Sequence, residues 1–227
     1  MKISAIIPAW NEVLTIADAV DSARAVADEI IVADGGSLDG TAERAAAAGA
    51  RVVRAPKGRG QQLRAGAACA SGDVLLFLHA DVRLESGARE AVERALSDVE
   101  VIGGNFYVRF EDASFAAWVF TVANHWRREW LQIYYGDSAI FVRAATYSAL
   151  GGFRALPIFE DYEFVRRLEC AGRTVYLRDV VAVASARRFS DSPLRTLGVW
   201  TALQALFSMG VSAERLARFY ADTRPKP

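Results

Sequence analysis

The sequence predicts an α/β fold with a mostly parallel central sheet and helices on both faces. Three short runs are dominated by apolar residues, namely 3–7, 29–34 and 74–78. Strands that are apolar on both sides lie inside a sheet covered on both faces. Between them, apolar residues recur at helical spacing, as at Val13, Ile16 and Val20. Strands that alternate with helices imply a parallel sheet between helical layers.

The remaining elements follow the same two periodicities. In the first hundred residues we expect helices from Asp39 to Gly49 and from Gln61 to Ser71, and a third strand from Ala50 to Ala55. Later elements are an antiparallel edge strand at 101–110, helices at 115–130 and 159–170, strands at 138–142 and 175–184, and a helical tail from 194 to 220. With no repeat or linker visible, residues 1–227 are predicted to form one domain.

Composition excludes several classes of function. The 227 residues carry 27 basic and 27 acidic side chains, so a protein that binds nucleic acid over its whole surface is disfavoured. Cys69 and Cys170 stand far apart, which predicts packed, reduced thiols rather than a zinc site or a disulfide. The apolar run at 3–7 is too short for a secretory leader, and we expect a cytoplasmic protein.

Polar residues gather where three predicted strands end. These segments are Pro8 to Glu12, Asp34 to Ser37 and His79 to Asp81. A doubly wound sheet binds ligands at the carboxyl ends of its strands, so the three loops are expected to meet in one crevice. Each segment alone has the composition of a turn or a helix cap. Their coincidence favours a binding site.

Missing motifs narrow the ligand. No G-x-G-x-x-G follows the first strand and no G-x-x-x-x-G-K-[ST] occurs, so neither a dinucleotide fold nor a P-loop is supported. A bound diphosphate would then need a divalent cation, for which Asp81 is the candidate ligand, helped by Lys57, Arg59 and Arg64. Mg²⁺ and Mn²⁺ prefer oxygen ligands and often use only one or two protein carboxylates.

Four segments in order resemble family 2 glycosyltransferases: Ile6 to Glu12, Asp34 to Thr41, Leu78 to Asp81 and Phe159 to Asp161. The resemblance covers roughly residues 2–190. It implies a GT-A-type, Rossmann-like sandwich with a small antiparallel extension on the acceptor side. It also implies inverting transfer of a sugar from a nucleotide diphosphate sugar, with a UDP-sugar favoured. Residues 1–100 would bind the donor, 101–190 the acceptor, and 191–227 would form C-terminal helices.

The resemblance also assigns roles to single residues. Those expected to contact the nucleotide are Pro8, Ala9, Asn11, Glu12, Asp34, Arg59, Gly60, Arg64, His79 and Ala80. Asp81 would hold Mn²⁺ or Mg²⁺. Glu160 and Asp161 match the acidic pair that supplies the general base, with Asp161 favoured. We also expect Asp137 near the acceptor. We expect Arg187 and Arg188 near the diphosphate, because a guanidinium fork suits phosphate oxygens.

Two departures from the family pattern stand out. Gly35 occupies a position where such enzymes often have a second acid, and His79 replaces the first acid of the metal motif. A narrower similarity lies in the segments 135–138, 151–153 and 185–189. These resemble short, stand-alone family 2 transferases, some of them associated with arsenosugar or selenium-related pathways.

Other readings stay open. A sugar-phosphate nucleotidyltransferase would use a similar sheet but normally has a glycine-rich basic loop after the first strand, and Pro8 to Glu12 has no glycine. A non-catalytic nucleotide- or glycan-binding module would need no base. The uncharged stretch from Thr196 to Ala213 predicts packing on the core or in a homodimer. With Phe115, Trp118 and Phe120 it also suits peripheral contact with the inner membrane face and a lipid-linked acceptor.

Overall fold

The computed structural model describes residues 1–112, 114–186 and 193–223. Its strands are β1 (Ile3–Ala9), β2 (Glu29–Asp34), β3 (Arg51–Arg54), β4 (Val74–Phe77), β5 (Val82–Leu84), β6 (Val101–Phe110), β7 (Ile140–Arg143) and β8 (Arg173–Ala184). Its helices are α1 (Ile16–Arg24), α2 (Thr41–Ala47), α3 (Arg59–Ala68), α4 (Ala88–Leu96), α5 (Phe115–Leu131), α6 (Ala144–Ala149), α7 (Glu160–Ala171), α8 (Pro193–Ser208) and α9 (Ala213–Thr223). A 3₁₀ turn at Gly136–Ser138 precedes β7.

The strands form one sheet in the order β3-β2-β1-β4-β7-β6-β8-β5. Strands β1, β2, β3 and β4 pair in parallel with one another, and β6 pairs in parallel with β8. Strand β7 is antiparallel to both β4 and β6, and β5 is antiparallel to β8. Strands β2 and β3 are added on one side of β1 and β4 on the other, so the strand order reverses between β1 and β4. The carboxyl ends of these two parallel strands are the switch point where such sheets bind ligands.

Alternate residues of the strands supply two separate cores. Ile7 of β1 packs in the core beneath α1 and α4, whereas its neighbour Ile6 packs in the core beneath α3 and α7. A strand buried on both faces is mainly apolar, which is why 3–7 lacks the alternation of a half-exposed strand. Its one polar side chain, Ser4, is buried and donates a hydrogen bond to Glu29. The predicted α/β sheet with helices on both faces is confirmed.

Strand β6 corrects one prediction. The segment 101–110 was expected at a sheet edge, yet it lies between β7 and β8. Two glycines permit this position, because a Cβ on Gly103 would lie 2.5 Å from the carbonyl oxygen of Phe141, and one on Gly104 would lie 2.1 Å from that of Val175. Close backbone approach on both sides thus requires the side chain to be absent.

Some elements were not predicted. Helix α4 buries Ala88, Ala91, Val92 and Leu96, a helical spacing that the sequence does display. The short β5 and α6 carry no comparable signal. The helical tail forms two helices, α8 and α9, divided near Gly210, whose φ of 94° lies in the left-handed region. Cys170 is exposed rather than packed, and both cysteines are free.

Helix α5 presents aromatic side chains to the outside. Phe115, Trp118, Trp126 and Trp130 are all more than half exposed. Its inner side packs on β6, and Phe120 meets Trp200 of α8 with ring centroids 6.0 Å apart. No helix in the described ranges has both the length and the apolar character needed to cross a membrane.

Replacing Gly104 with alanine should destabilise the fold. The new methyl group would collide with the Val175 carbonyl on the neighbouring strand, and overpacking of this kind costs about 1–3 kcal/mol. Gly198→Ala in α8 is the matched control, because a Cβ there meets nothing within 4 Å. Chemical denaturation should show a lower free energy of unfolding for Gly104→Ala only. Equal stability of the two variants would contradict the close strand packing.

Candidate active site

The loops that follow β1 and β2 are bonded to each other. Asn11 has a φ of 54°, and its side-chain oxygen accepts a hydrogen bond from the Leu38 backbone N–H at 3.0 Å. The Asn11 N–H donates to the Ser37 hydroxyl at 2.9 Å, and the Glu12 N–H donates to the Thr41 hydroxyl at 2.8 Å. Asparagine tolerates the left-handed conformation better than most residues. These bonds bring two of the three predicted loops together.

Asp34 ends β2 with its carboxylate turned back on its own loop. The backbone N–H groups of Gly36 and Ser37 donate to this carboxylate at 3.0 and 3.1 Å, and the residue is 5% exposed. Such a side chain builds the turn that follows it. Asp34 therefore shapes the crevice, in addition to any contact with a ligand.

Gln62 is a site residue that the sequence analysis did not identify. It is buried in α3, and its amide nitrogen donates to the carbonyl oxygens of Ala9 at 2.6 Å and Ala33 at 3.0 Å. A Cβ on Gly35 would lie 3.0 Å from that nitrogen. The absence of a second acid after Asp34 is therefore explained by the space that Gln62 occupies. A polar residue within the buried face of a predicted helix was the available signal.

Arg59 and Glu160 form an ion pair that joins the first half of the chain to the second. Glu160 is 1% exposed, and Arg59 keeps 32% of its side chain exposed. The start of α3 lies close to the segment before α7, because a Cβ on Gly60 would lie 2.4 Å from the Arg154 carbonyl oxygen. Glycine at position 60 thus lets the two partners meet.

The charges around this pair are strongly coupled. Burial would lower the pKa of Arg59, but the carboxylates of Glu160, Asp161 and Asp81 raise it above its ordinary value. Burial raises the pKa of Glu160, Asp161 raises it further, and Arg59 offsets only part of this rise. One guanidinium therefore acts on three acidic groups from two loops that the sequence predicted to be functional.

Asp161 is held differently from its neighbour. One of its carboxylate oxygens accepts the Gly136 backbone N–H at 2.9 Å, and the other accepts the N–H of Tyr162 at 2.7 Å. It lies in the first turn of α7, where the helix dipole stabilises a negative charge. Asp161 lines a cavity of about 140 Å³, whereas Glu160 is not among the lining residues. The structure thus gives the two acids different surroundings.

The cavity has a polar side and an apolar side. Its lining comprises Arg59, His79, Phe120, Asn124, Arg127, Tyr135, Asp137, Ile158, Phe159, Asp161, Trp200 and Leu203. The apolar side comes from α5, α8 and the residues before α7. Few polar groups converging in a mainly apolar cleft are typical of small-molecule sites. The cavity is large enough for a small ligand beside Asp161.

His79 and Asp81 lie in the loop that follows β4. His79 is 6% exposed, and its ring packs against Gly136, where a Cβ would lie 2.2 Å from Nε2. The Asp81 carbonyl oxygen accepts the Ser185 N–H at 3.1 Å. Among the described residues no group of three or more His, Cys, Asp or Glu side chains could hold a metal by itself. A carboxylate at a ligand crevice, completed by phosphate oxygens, still fits Mg²⁺ or Mn²⁺.

Other predicted residues are placed less centrally. Pro8 and Ala80 are buried next to the loops, and Ala9 contributes through its carbonyl oxygen. Arg64 is exposed on α3, and its charge acts on Tyr147, away from the cavity lining. Asp137 lines the cavity. Arg187 and Arg188 lie outside the described residues.

Trp10 is an exposed aromatic residue of the loop that follows β1. It is 43% exposed, and the Lys57 ammonium lies 3.3 Å from the centroid of its ring system. A cation over an indole face is a favourable contact. The loops after β1 and β3 are therefore joined by this pair above the strand ends.

A doubly wound sheet with bonded polar loops at its switch point defines a ligand-binding α/β protein with an acidic group at the cavity. The chain belongs to glycosyl transferase family 2, whose family model matches residues 4–151.

Curated relatives match a shorter segment. Glucosyl-3-phosphoglycerate synthase of Mycobacterium tuberculosis is 39% identical over 93 residues, which cover 35% of this chain and 29% of that protein. The enzyme of the same name from Mycolicibacterium smegmatis is 34% identical over 93 residues, covering 35% and 31%. The match thus spans less than a third of these relatives' length.

Solved structures show the GT-A glycosyltransferase fold over nearly the whole chain. Glucosyl-3-phosphoglycerate synthase of M. tuberculosis, in complex with Mn²⁺, uridine diphosphate and phosphoglyceric acid, aligns with a TM-score of 0.58 at 22% identity. That alignment covers 92% of this chain and 79% of the other. TarS of S. aureus aligns with a TM-score of 0.65 at 16% identity, covering 91% and 40%.

The contact between Gly35 and Gln62 gives a double-mutant test. Gly35→Ala should lower the free energy of unfolding by about 1–3 kcal/mol, because the added methyl group crowds the Gln62 amide. In a Gln62→Ala background the same change should cost much less. Urea denaturation of the four proteins measures the difference. An equal loss in both backgrounds would show that Gln62 does not determine the residue at position 35.

Proposed function

We propose that the chain transfers a sugar from UDP to an acceptor hydroxyl with inversion, with Mn²⁺ or Mg²⁺ as cofactor. The observation that carries the proposal is the position of Asp161. Its carboxylate lines the cavity and accepts hydrogen bonds from two backbone N–H groups. Arg59 interacts electrostatically with both Asp161 and Asp81. The reaction needs a general base at the acceptor hydroxyl and stabilisation of the charge that develops on the diphosphate. We assign the first role to Asp161 and the second to a metal ion held by Asp81.

The donor would lie over the carboxyl ends of β1, β2 and β4. The loops containing Asn11, Asp34 and Asp81 supply its walls, and Gln62 fixes the first two from below. The relatives crystallised with UDP and Mn²⁺ or Mg²⁺ share this fold. A divalent ion held by Asp81 would neutralise the charge that develops on the leaving diphosphate.

The acceptor would enter the cavity and present its hydroxyl to Asp161. The acceptor oxygen forms a bond to the anomeric carbon as the bond from that carbon to the diphosphate oxygen breaks. The hydroxyl proton passes to the Asp161 carboxylate, and the electron pair of the broken bond leaves with the diphosphate. Glu160 is not the base in this scheme, because it is buried against Arg59 and does not line the cavity.

The proposal also includes the chemical class of the acceptor. A structure of the mycobacterial synthase contains glucosyl-3-phosphoglycerate with UDP and Mn²⁺, so a phosphoglycerate-related acceptor is our first candidate. The narrower similarity to the arsenosugar- and selenium-related subgroup stays a prediction from the sequence. So do the division at residues 100 and 190, the homodimer, and contact with the inner membrane face.

Asp81→Ala should abolish metal-dependent binding of UDP, because it removes the carboxylate proposed to hold the ion. Calorimetry with UDP, GDP and dTDP, with and without Mn²⁺, measures this and identifies the preferred carrier. Asp73→Ala is the matched control, since Asp73 precedes the same strand at the opposite edge of the sheet and should leave binding unchanged. If no nucleotide binds the unaltered protein, the donor site is wrongly assigned.

Asp161→Asn should lower turnover by about 10²–10⁴-fold while UDP binding persists, because a positioned base contributes about that factor. Release of UDP from UDP-glucose in the presence of 3-phosphoglycerate or glycerate is the assay. The exposed Asp179→Asn on β8 controls for loss of one charge. Full activity of Asp161→Asn would exclude its role as base. Binding without turnover across acceptors would favour a non-catalytic module, and release of pyrophosphate from UTP would favour a nucleotidyltransferase.

A further inference from the structure

Helix α5 contributes one face to the cavity. Phe120, Asn124 and Arg127 are four and three residues apart, so they share a side of the helix, and all three line the cavity. On the facing helix α8, Trp200 lies against Phe120 and Thr201 contacts Arg127. Family resemblance gave no role to any of these residues. The side of the cavity that they form is called here the α5 wall.

Arg127 is a half-buried cation with weak neutral partners. Its guanidinium donates to the Asn124 side-chain oxygen at 3.4 Å and to the Thr201 hydroxyl at 3.5 Å, both long for hydrogen bonds. Within residues 1–112, 114–186 and 193–223 it forms no ion pair with a carboxylate. Partly desolvating an uncompensated charge is unfavourable, so its position favours an anionic partner from outside the chain.

Three other arginines of this region are paired with carboxylates, whereas Arg127 is paired with none that the structure describes. Arg128 is buried and lies 3.7 Å from the Glu169 carboxylate. Arg178 lies 3.2 Å from the carboxylate of Glu129. Arg59, on the other side of the cavity, is paired with Glu160. Of these four guanidinium groups, Arg127 alone lines the cavity and forms no ion pair with a described carboxylate.

We propose that Arg127 anchors an anionic group, a phosphate or a carboxylate, of the acceptor. The carbon skeleton of this small hydroxylated anion packs on Phe120 and Trp200, and its hydroxyl points toward Asp161. Tyr135 and Asp137 line the same cavity as Arg127 and Asp161. The inference rests on the proposed function in placing the acceptor in this cavity, and it specifies the acceptor's chemical class.

Calorimetric titration tests the anchor directly. The probes are glycerol 3-phosphate and phenyl phosphate, with glycerol as the neutral comparison. Saturating UDP and Mn²⁺ fill the donor site, so that the phosphate probes cannot bind there. We expect both phosphates to bind and glycerol not to bind. Arg127→Gln should weaken both phosphates about tenfold or more, since hydrogen bonds to charged groups have this strength. Arg127→Lys should retain part of the affinity.

Arg178→Gln is the matched control, because it removes the same charge from a neighbouring exposed position that does not line the cavity. Its phosphate affinity should equal that of the unaltered protein. Failure of both phosphates to bind, or equal affinity in Arg127→Gln, overturns the anchor. If UDP itself does not bind, the donor assignment fails separately. The phosphate titrations without UDP then still decide whether Arg127 holds an anion.

Discussion

The buried ion pair between Arg59 and Glu160 is the interaction on which the site depends. The two residues are 101 positions apart and come from the first turns of α3 and α7. Helix α3 is also bonded through Gln62 to the ends of β1 and β2. Helix α3 therefore connects the ends of β1 and β2 to the acidic pair at the start of α7. Breaking such a pair on one side leaves a buried charge without compensation, which is strongly unfavourable.

The adjacent acids Glu160 and Asp161 have different surroundings. Glu160 is used to hold α7 in place, and burial raises its pKa above the usual range. Asp161 keeps access to the cavity and has both oxygens oriented by backbone donors. Successive residues at a helix start point in different directions, so Glu160 meets Arg59 whereas Asp161 faces the cavity. Orientation, rather than residue type, distinguishes them.

The cavity is formed mainly by packed helices rather than by strand ends. Helices α5 and α8 close the cavity with aromatic and aliphatic side chains, and the only charge on the α5 wall is that of Arg127. An apolar wall strengthens the field of each charge near it, because water is partly excluded. Strands β1 to β4 form the half proposed to bind the donor, whereas the packing of helices shapes the cavity. The strand-end loops proposed to bind the diphosphate thus lie beside a cavity with a mainly apolar wall.

The sequence by itself determined the sheet of β1 to β4, the loops at its carboxyl edge and the family motifs. Those features depend on local periodicity and on polar residues at strand ends, both of which are visible in one dimension. Only the tertiary structure decided that β6 is an interior strand, that Gln62 fills the space beside Gly35, and that Asp161 rather than Glu160 lines the cavity. Each of these outcomes depends on contacts between residues far apart in sequence. Local pattern cannot specify such contacts, because they are set by how helices and strands pack.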